Sequence, residues 1–147
     1  MIIAKKPAFW QVPSFSKFDI GRTHTVTRTF SETEVDAFGC LSGDLNPLHM
    51  NDEFASHSPF GRRVVHGLLT AALVSRTHSG LTGPGFAYVG QELPFLKSGV
   101  HRQDHDGGHY CLQEGSQAIL ILDTMVRKHT GEAVLSGLSA YRCLSFR

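Results

Sequence analysis

Three polar side chains, two of which can transfer protons, lie close together in one short segment of the sequence. Asp44, Asn46 and His49 lie close together, and Gly43 and Pro47 restrict the backbone around them. A carboxylate and an imidazole on one rigid turn can share a single water molecule or substrate proton, because imidazole titrates near neutral pH. The spacing therefore indicates general acid–base chemistry. The alternative is that Asp44 and Asn46 form Asx turns that cap the next segment, while His49 packs.

A glycine at the start of a predicted helix adds to this pattern. The run VVHGLL, residues 64–69, begins extended and becomes helical at Gly67. The first amide of a helix has no acceptor within the helix and lies at the positive end of the helix dipole. Because a glycine lets a ligand carbonyl approach the backbone closely, such an amide can form an oxyanion hole. The alternative is an ordinary glycine at a helix N-terminus.

Composition limits the classes of protein to which the chain can belong. Its 147 residues are 41% hydrophobic and 18% charged, which predicts a single folded domain over residues 1–147, with residues 1–20 as an N-terminal arm. A net charge of +1 argues against nucleic acid as a partner. No run approaches the ~20 apolar residues of a membrane span, so we expect no membrane insertion. Three cysteines do not suit a disulfide framework, which favours a cytoplasmic or mitochondrial protein over a secreted one.

The elements that must position the polar segment follow from periodicity. Ser31 and Glu34 have the spacing of a capping box, and the helix that they begin ends at Gly43. A second helix, from Gly67 to His78, is apolar nearly all round, which is typical of a buried helix. The predicted strands are residues 23–30, 86–95, 117–128 and 133–142, with a glycine-rich loop at residues 80–85. One apolar helix followed by antiparallel strands predicts an α+β fold with the sheet wrapped around that helix.

The run Ser42-Gly-Asp-Leu-Asn-Pro-Leu-His49, with Val65-His-Gly67 further on, resembles the (R)-specific enoyl-CoA hydratase, or MaoC-like dehydratase, family. The resemblance covers residues 23–97 and resumes over residues 114–142. It implies a hot-dog fold, in which a curved antiparallel sheet wraps a long central helix, and a homodimer. It also implies reversible hydration of trans-2-enoyl thioesters to (R)-3-hydroxyacyl thioesters. Coenzyme A or an acyl carrier protein would enter only as part of the substrate, with no other cofactor and no metal.

The family's functional residues transfer to matching positions of this sequence. The resemblance implies that Asp44 and His49 are the catalytic pair, and that Asn46 orients the loop or the water. It implies that the Gly67 amide binds the thioester oxygen, and it adds His66 and Ser75 to the substrate-binding residues. For Ser75 the alternative is a small residue packed in the core.

Further predictions concern the substrate and the rival functions. We expect residues 68–74 and 86–95 to form the walls of an acyl tunnel, and Arg62 and Arg63 to meet a phosphate of the carrier unless they are solvated surface.

One rival function is that of a non-catalytic hot-dog subunit that binds an acyl carrier or sits in a larger assembly. A second rival is an acyl-CoA thioesterase, against which the Asp-x-Asn-Pro-x-His run argues.

Residues 98–113 depart from the family, which has a turn and a strand there. This segment is polar and carries His101, His105, His109 and Cys111. Histidines four apart would share one face of a helix and could hold a metal. The glycine pair at 107–108 would break such a helix, which favours a solvated loop. A third hypothesis is a shifted reading frame, since codons read one base forward permit an alternating strand; it predicts that the segment lies in the sheet.

Overall fold

The computed structural model describes Phe18, residues 21–97, the backbone of residues 104–114, and residues 119–144. Apart from Phe18, the predicted N-terminal arm lies outside the described residues. The elements in chain order are β1 (Val26–Thr29), α1 (Glu32–Ser42), α2 (Pro47–Met50), α3 (Asp52–Ser56), α4 (Gly67–Thr82), β2 (Phe86–Glu92), β3 (Asp104–Glu114), β4 (Ile119–Lys128) and β5 (Ala133–Cys143). The described strands form one antiparallel sheet in the order β1-β3-β4-β5-β2, which confirms the predicted α+β class.

Helix α1 begins and ends where its sequence predicts. The Ser31 hydroxyl accepts a hydrogen bond from the Glu34 amide, and the Glu34 carboxylate accepts one from the Ser31 amide. Both bonds satisfy donors that a helix N-terminus leaves unpaired. The backbone hydrogen bond to Ser31, followed by the Arg28 guanidinium, holds the pKa of the Glu34 carboxyl below its usual range. At the other end Gly43 adopts φ 77°, a left-handed conformation that favours glycine, and turns the chain into the polar segment.

Helix α4 lies against one face of the sheet. In β4 the side chains alternate between buried and half-buried positions, with Leu120, Leu122 and Val126 fully buried. Val126 belongs to the same apolar cluster as Leu73 and Val74 of α4, so the helix supplies the core for the sheet. The helix runs to Thr82, and the loop predicted at residues 80–85 therefore begins later than expected.

Helix α4 is less buried than its apolar sequence predicts. Leu68 is 69% exposed, and Ala72 and Ser75 are exposed on the same side of the chain. In α1, Leu41 is 86% exposed. Hydrophobic periodicity predicts that a residue is covered, but it does not distinguish cover by the same chain from cover by another one.

The prediction of a solvated loop over residues 98–113 is wrong for the part that the structure describes. Strand β3 pairs with β1 from Thr29 opposite Asp104 to Val26 opposite Gly107, and along its other edge with the whole of β4. Residues 98–103 lie outside the described part, and so do the side chains of β3. In this strand His105 and His109 do not share one face of a helix, as the metal hypothesis assumed, because four residues of strand separate their Cα atoms by about 13 Å. His101 lies outside the described residues.

Candidate active site

The polar segment between α1 and α2 is built from short-range hydrogen bonds. The Asp44 carboxylate accepts a hydrogen bond of 3.3 Å from the Asn46 amide. The Asn46 side chain caps α2 and accepts a hydrogen bond of 3.0 Å from the Leu48 amide. Both Asp44 and Asn46 therefore form Asx turns, as the structural alternative predicted. These bonds are compatible with function, because they fix the loop that carries Asp44 and the helix that carries His49.

The imidazole ring of His49 is held by a hydrogen bond to the main chain. Its Nδ1 lies 2.8 Å from the carbonyl oxygen of Val64. Because a carbonyl can only accept, Nδ1 carries a hydrogen. In the neutral form of the ring the lone pair would then lie on Nε2, the nitrogen that could accept a proton.

His66 lies next to His49 and is almost completely buried. The two rings stack with their centroids 4.0 Å apart. Nε2 of His66 lies 3.0 Å from the carbonyl oxygen of Asp44, so this nitrogen is the donor, and Nδ1 has no hydrogen-bond partner among the described residues. His66 thus ties the start of α4 to the loop that carries Asp44.

Asp44, His49 and His66 come together as a group. One carboxylate oxygen and one nitrogen of each ring lie within 4.8 Å of one another. Two groups that hydrogen-bond the same water molecule are about 4.5 Å apart, whereas neighbouring ligands of one zinc ion are only about 3.5 Å apart. A separation of no more than 4.8 Å therefore allows the three groups to contact one water molecule.

A cavity of about 320 Å³ opens beside this group. His49 and Gly67 both line it, together with Phe60, Thr70, Phe95, Lys97 and four apolar residues: Leu48, Val64, Val65 and Val134. Gly67 is the first residue of α4, and its N-cap residue His66 makes no side-chain cap. The Gly67 amide therefore has no acceptor within the helix and lies beside a space that a ligand can enter.

The remaining sequence predictions have mixed outcomes. Of the residues predicted to form the tunnel walls, Thr70 and Phe95 line the cavity, whereas Leu68 is exposed and does not. Arg63 is not available to a carrier phosphate, because it is 7% exposed and paired with Asp36; that prediction is wrong, and the pair was missed because nothing in the sequence links these two positions. Arg62 is exposed. Ser75 is exposed on α4 and does not line the cavity, so its part in substrate binding stays a prediction.

Comparisons with known proteins point in one direction. Residues 16–97 match the model of the MaoC-like domain. Over 82 residues the chain is 39% identical to a 3-hydroxybutyryl-CoA dehydratase of Methylorubrum extorquens, covering 55% of this chain and 52% of the relative. Over 83 residues it is 40% identical to an (R)-specific enoyl-CoA hydratase of Aeromonas caviae, covering 56% and 62%. The chain thus spans between half and two thirds of the length of these curated relatives.

A solved structure extends the likeness beyond the matched segment. The (R)-hydratase from A. caviae superimposes with a TM-score of 0.83 and 29% identity, covering 86% of this chain and 98% of that one. The fold is therefore the hot-dog fold, as the sequence resemblance implies. Among the described residues, no helix is long and apolar enough to cross a membrane.

Proposed function

Because the chain belongs to the MaoC-like domain family, we propose that it catalyses the reversible hydration of trans-2-enoyl thioesters to (R)-3-hydroxyacyl thioesters. The observation that carries the proposal is that His49 and Gly67 line one cavity, while a carboxylate oxygen of Asp44 lies within 4.8 Å of a His49 ring nitrogen. Such an arrangement would provide a base and a carbonyl-binding group at the same site. The names of the curated relatives support the same reaction class.

The chemistry follows from the electronic structure of the substrate. The β-carbon of an enoyl thioester becomes electrophilic only when its carbonyl is polarised. The Gly67 amide, at the positive end of the α4 dipole, would bind the carbonyl oxygen and stabilise the enolate charge that develops on it. Asp44 and His49 would hold one water molecule, remove a proton as its oxygen bonds to the β-carbon, and return a proton to the α-carbon. Dehydration is the same path in reverse.

The substrate carrier, the assembly and the compartment belong to the same proposal. Coenzyme A or an acyl carrier protein would carry the acyl group, with Arg62 near the carrier phosphate. A homodimer is supported by three strongly exposed leucines, Leu41, Leu45 and Leu68, which a partner would cover. A cytoplasmic or mitochondrial location is supported by Cys40, which is free and exposed.

The test is turnover of crotonyl-CoA, followed as loss of the enoyl thioester absorbance, with the configuration of the product determined. We expect formation of (R)-3-hydroxybutyryl-CoA, and a loss of about 10²–10⁴-fold in kcat for Asp44→Asn. Asp52→Asn is the matched control, because Asp52 is an exposed carboxylate at the start of α3. Absence of turnover with any enoyl thioester would support the non-catalytic subunit, and release of free thiol would support the thioesterase.

A further inference from the structure

Arg63 is a buried cation with two partners. Only 7% of its surface is exposed, and its guanidinium contacts two different elements. Nη2 donates to the carboxylate of Asp36 in α1, and Nε donates to the backbone carbonyl of His49 in α2. Burial of an unpaired charge is strongly unfavourable, so these contacts fix the side chain in one position.

Val64, the residue after Arg63, also contacts His49. The carbonyl of Val64 accepts the hydrogen bond from the imidazole Nδ1, and the Val64 amide donates to the Leu48 carbonyl at 3.3 Å. Residues 63 and 64 therefore hold the backbone carbonyl of His49, its ring and the preceding peptide together. The ring bond selects the tautomer, while the guanidinium bond fixes the main chain from which the ring projects.

Helix α2 needs such support. It is only four residues long, and none of its residues is buried. A single turn of helix is unstable by itself. One apolar contact ties it to α1, since Met50 lies directly over Gly39, where a Cβ would come within 2.6 Å of the sulfur. The Asp36–Arg63 pair is the polar link between the same two helices.

We propose that Arg63 is a positioning residue for the reaction, with Asp36 as its partner. The inference rests on the proposed function, in which His49 is one member of the catalytic pair. By holding the His49 main chain, Arg63 would keep the imidazole close to Asp44, one of whose carboxylate oxygens lies within 4.8 Å of a His49 ring nitrogen. A displacement of about 1 Å in such an arrangement can lower the rate about 10²-fold.

The test compares four variants with the wild-type protein. Arg63→Met removes both contacts with similar bulk, Arg63→Lys keeps the charge without the planar donor fork, and Asp36→Asn weakens the ion pair alone. Arg76→Gln, an exposed arginine of α4, is the control. With crotonyl-CoA we expect kcat to fall about 10²-fold for Arg63→Met and about tenfold for Arg63→Lys and for Asp36→Asn. KM should stay within about threefold, and the control should match wild type.

A spectroscopic measurement separates positioning from general loss of structure. Nitrogen NMR of labelled histidine reports whether Nδ1 or Nε2 of His49 carries the hydrogen. We expect a single Nδ1–H tautomer in wild type and averaged tautomers in Arg63→Met. This readout needs no turnover, so it tests the positioning role even if the protein hydrates no enoyl thioester, a result that would refute the proposed function.

Two results would overturn the proposal. One is a folded Arg63→Met protein with wild-type kcat and an unchanged His49 tautomer. The other is a fall in kcat with the His49 resonances unmoved, since Arg63 would then act on something else. If Arg63→Met does not fold, Asp36→Asn decides in the same way, because its carboxylate is half exposed and its loss is tolerable.

Discussion

Gly67→Ala separates the two roles of this residue, because stability and catalysis should respond differently. Alanine is the better helix former by up to ~1 kcal/mol. Its methyl group would lie 3.0 Å from Cε1 and 3.2 Å from Cζ of Phe95, so the ring must yield by a few tenths of an ångström. Phe95 is 52% exposed and can move toward solvent at little cost. We therefore expect the free energy of unfolding to change by no more than about 1 kcal/mol, equivalent to about 2–4 °C in Tm.

Activity should fall although stability does not. The added methyl group would occupy part of the space beside the first amide of α4. The amide hydrogen remains, but a thioester oxygen could no longer approach it at hydrogen-bonding distance. Loss of one such donor lowers turnover by about 10²–10³-fold in other enzymes, and we expect a fall of about 10²-fold in kcat/KM, or ~2.7 kcal/mol.

The assay is crotonyl-CoA hydration together with thermal unfolding. Ser79→Ala is the control, because Ser79 is exposed on the same helix and its substitution gives a similar gain in helix propensity far from the cavity. If Gly67→Ala retained wild-type kcat/KM with an unchanged Tm, the thioester oxygen would not bind at this amide, and the proposed role of Gly67 would be refuted.

Three further predictions follow from other parts of the structure. Arg62→Gln should raise KM for coenzyme A thioesters several-fold while kcat stays within about twofold. The difference in KM between variant and wild type should shrink at high ionic strength, because an exposed charge is screened. A fall in kcat with unchanged KM would contradict a role in carrier binding. Gly137→Ala should lower the free energy of unfolding, measured by urea titration, by about 1–3 kcal/mol. Gly137 has φ 151°, and a Cβ there would come within 1.9 Å of the Glu92 carbonyl oxygen. Unchanged stability would contradict this close approach between β2 and β5. Burial raises the pKa of the Tyr141 phenol above the unfolded value of about 10. The stabilisation from the neutral phenol should therefore be complete below pH ~10 and be lost as the pH rises further. Tyr141→Phe should reduce this alkaline fall in the free energy of unfolding, and equal slopes for the two proteins would exclude Tyr141 as the cause of the fall.

Local signals predicted the position of the site well. The capping box and Gly43 fix where α1 starts and stops, and Asn46 and Pro47 fix the start of α2, so the loop that carries Asp44 could be placed from sequence. Each of these signals acts over two to four residues, the range over which sequence patterns are reliable. The proximity of Asp44 and His49 follows from them directly.

Contacts between distant segments could not be found in this way. Asp36 and Arg63 are 27 positions apart, and only the fold reveals that they meet. The stacking of His66 on His49 depends in the same manner on how α4 begins against α2. Both contacts are polar or aromatic, and nothing in the periodicity of either segment marks them.

Strand β3 shows tertiary context overriding local sequence. Residues 104–114 include five charged or histidine positions and two adjacent glycines, a composition that disfavours a strand. Yet β1 and β4 leave a gap in the sheet that only a strand can fill with paired backbone groups, and the hydrogen bonds of two neighbours outweigh weak propensity. A strand at this position also agrees with the hypothesis of a shifted reading frame. The two explanations predict different masses for the protein. An intact mass equal to that of the 147-residue sequence would exclude an error in the sequence and leave topology as the sole cause.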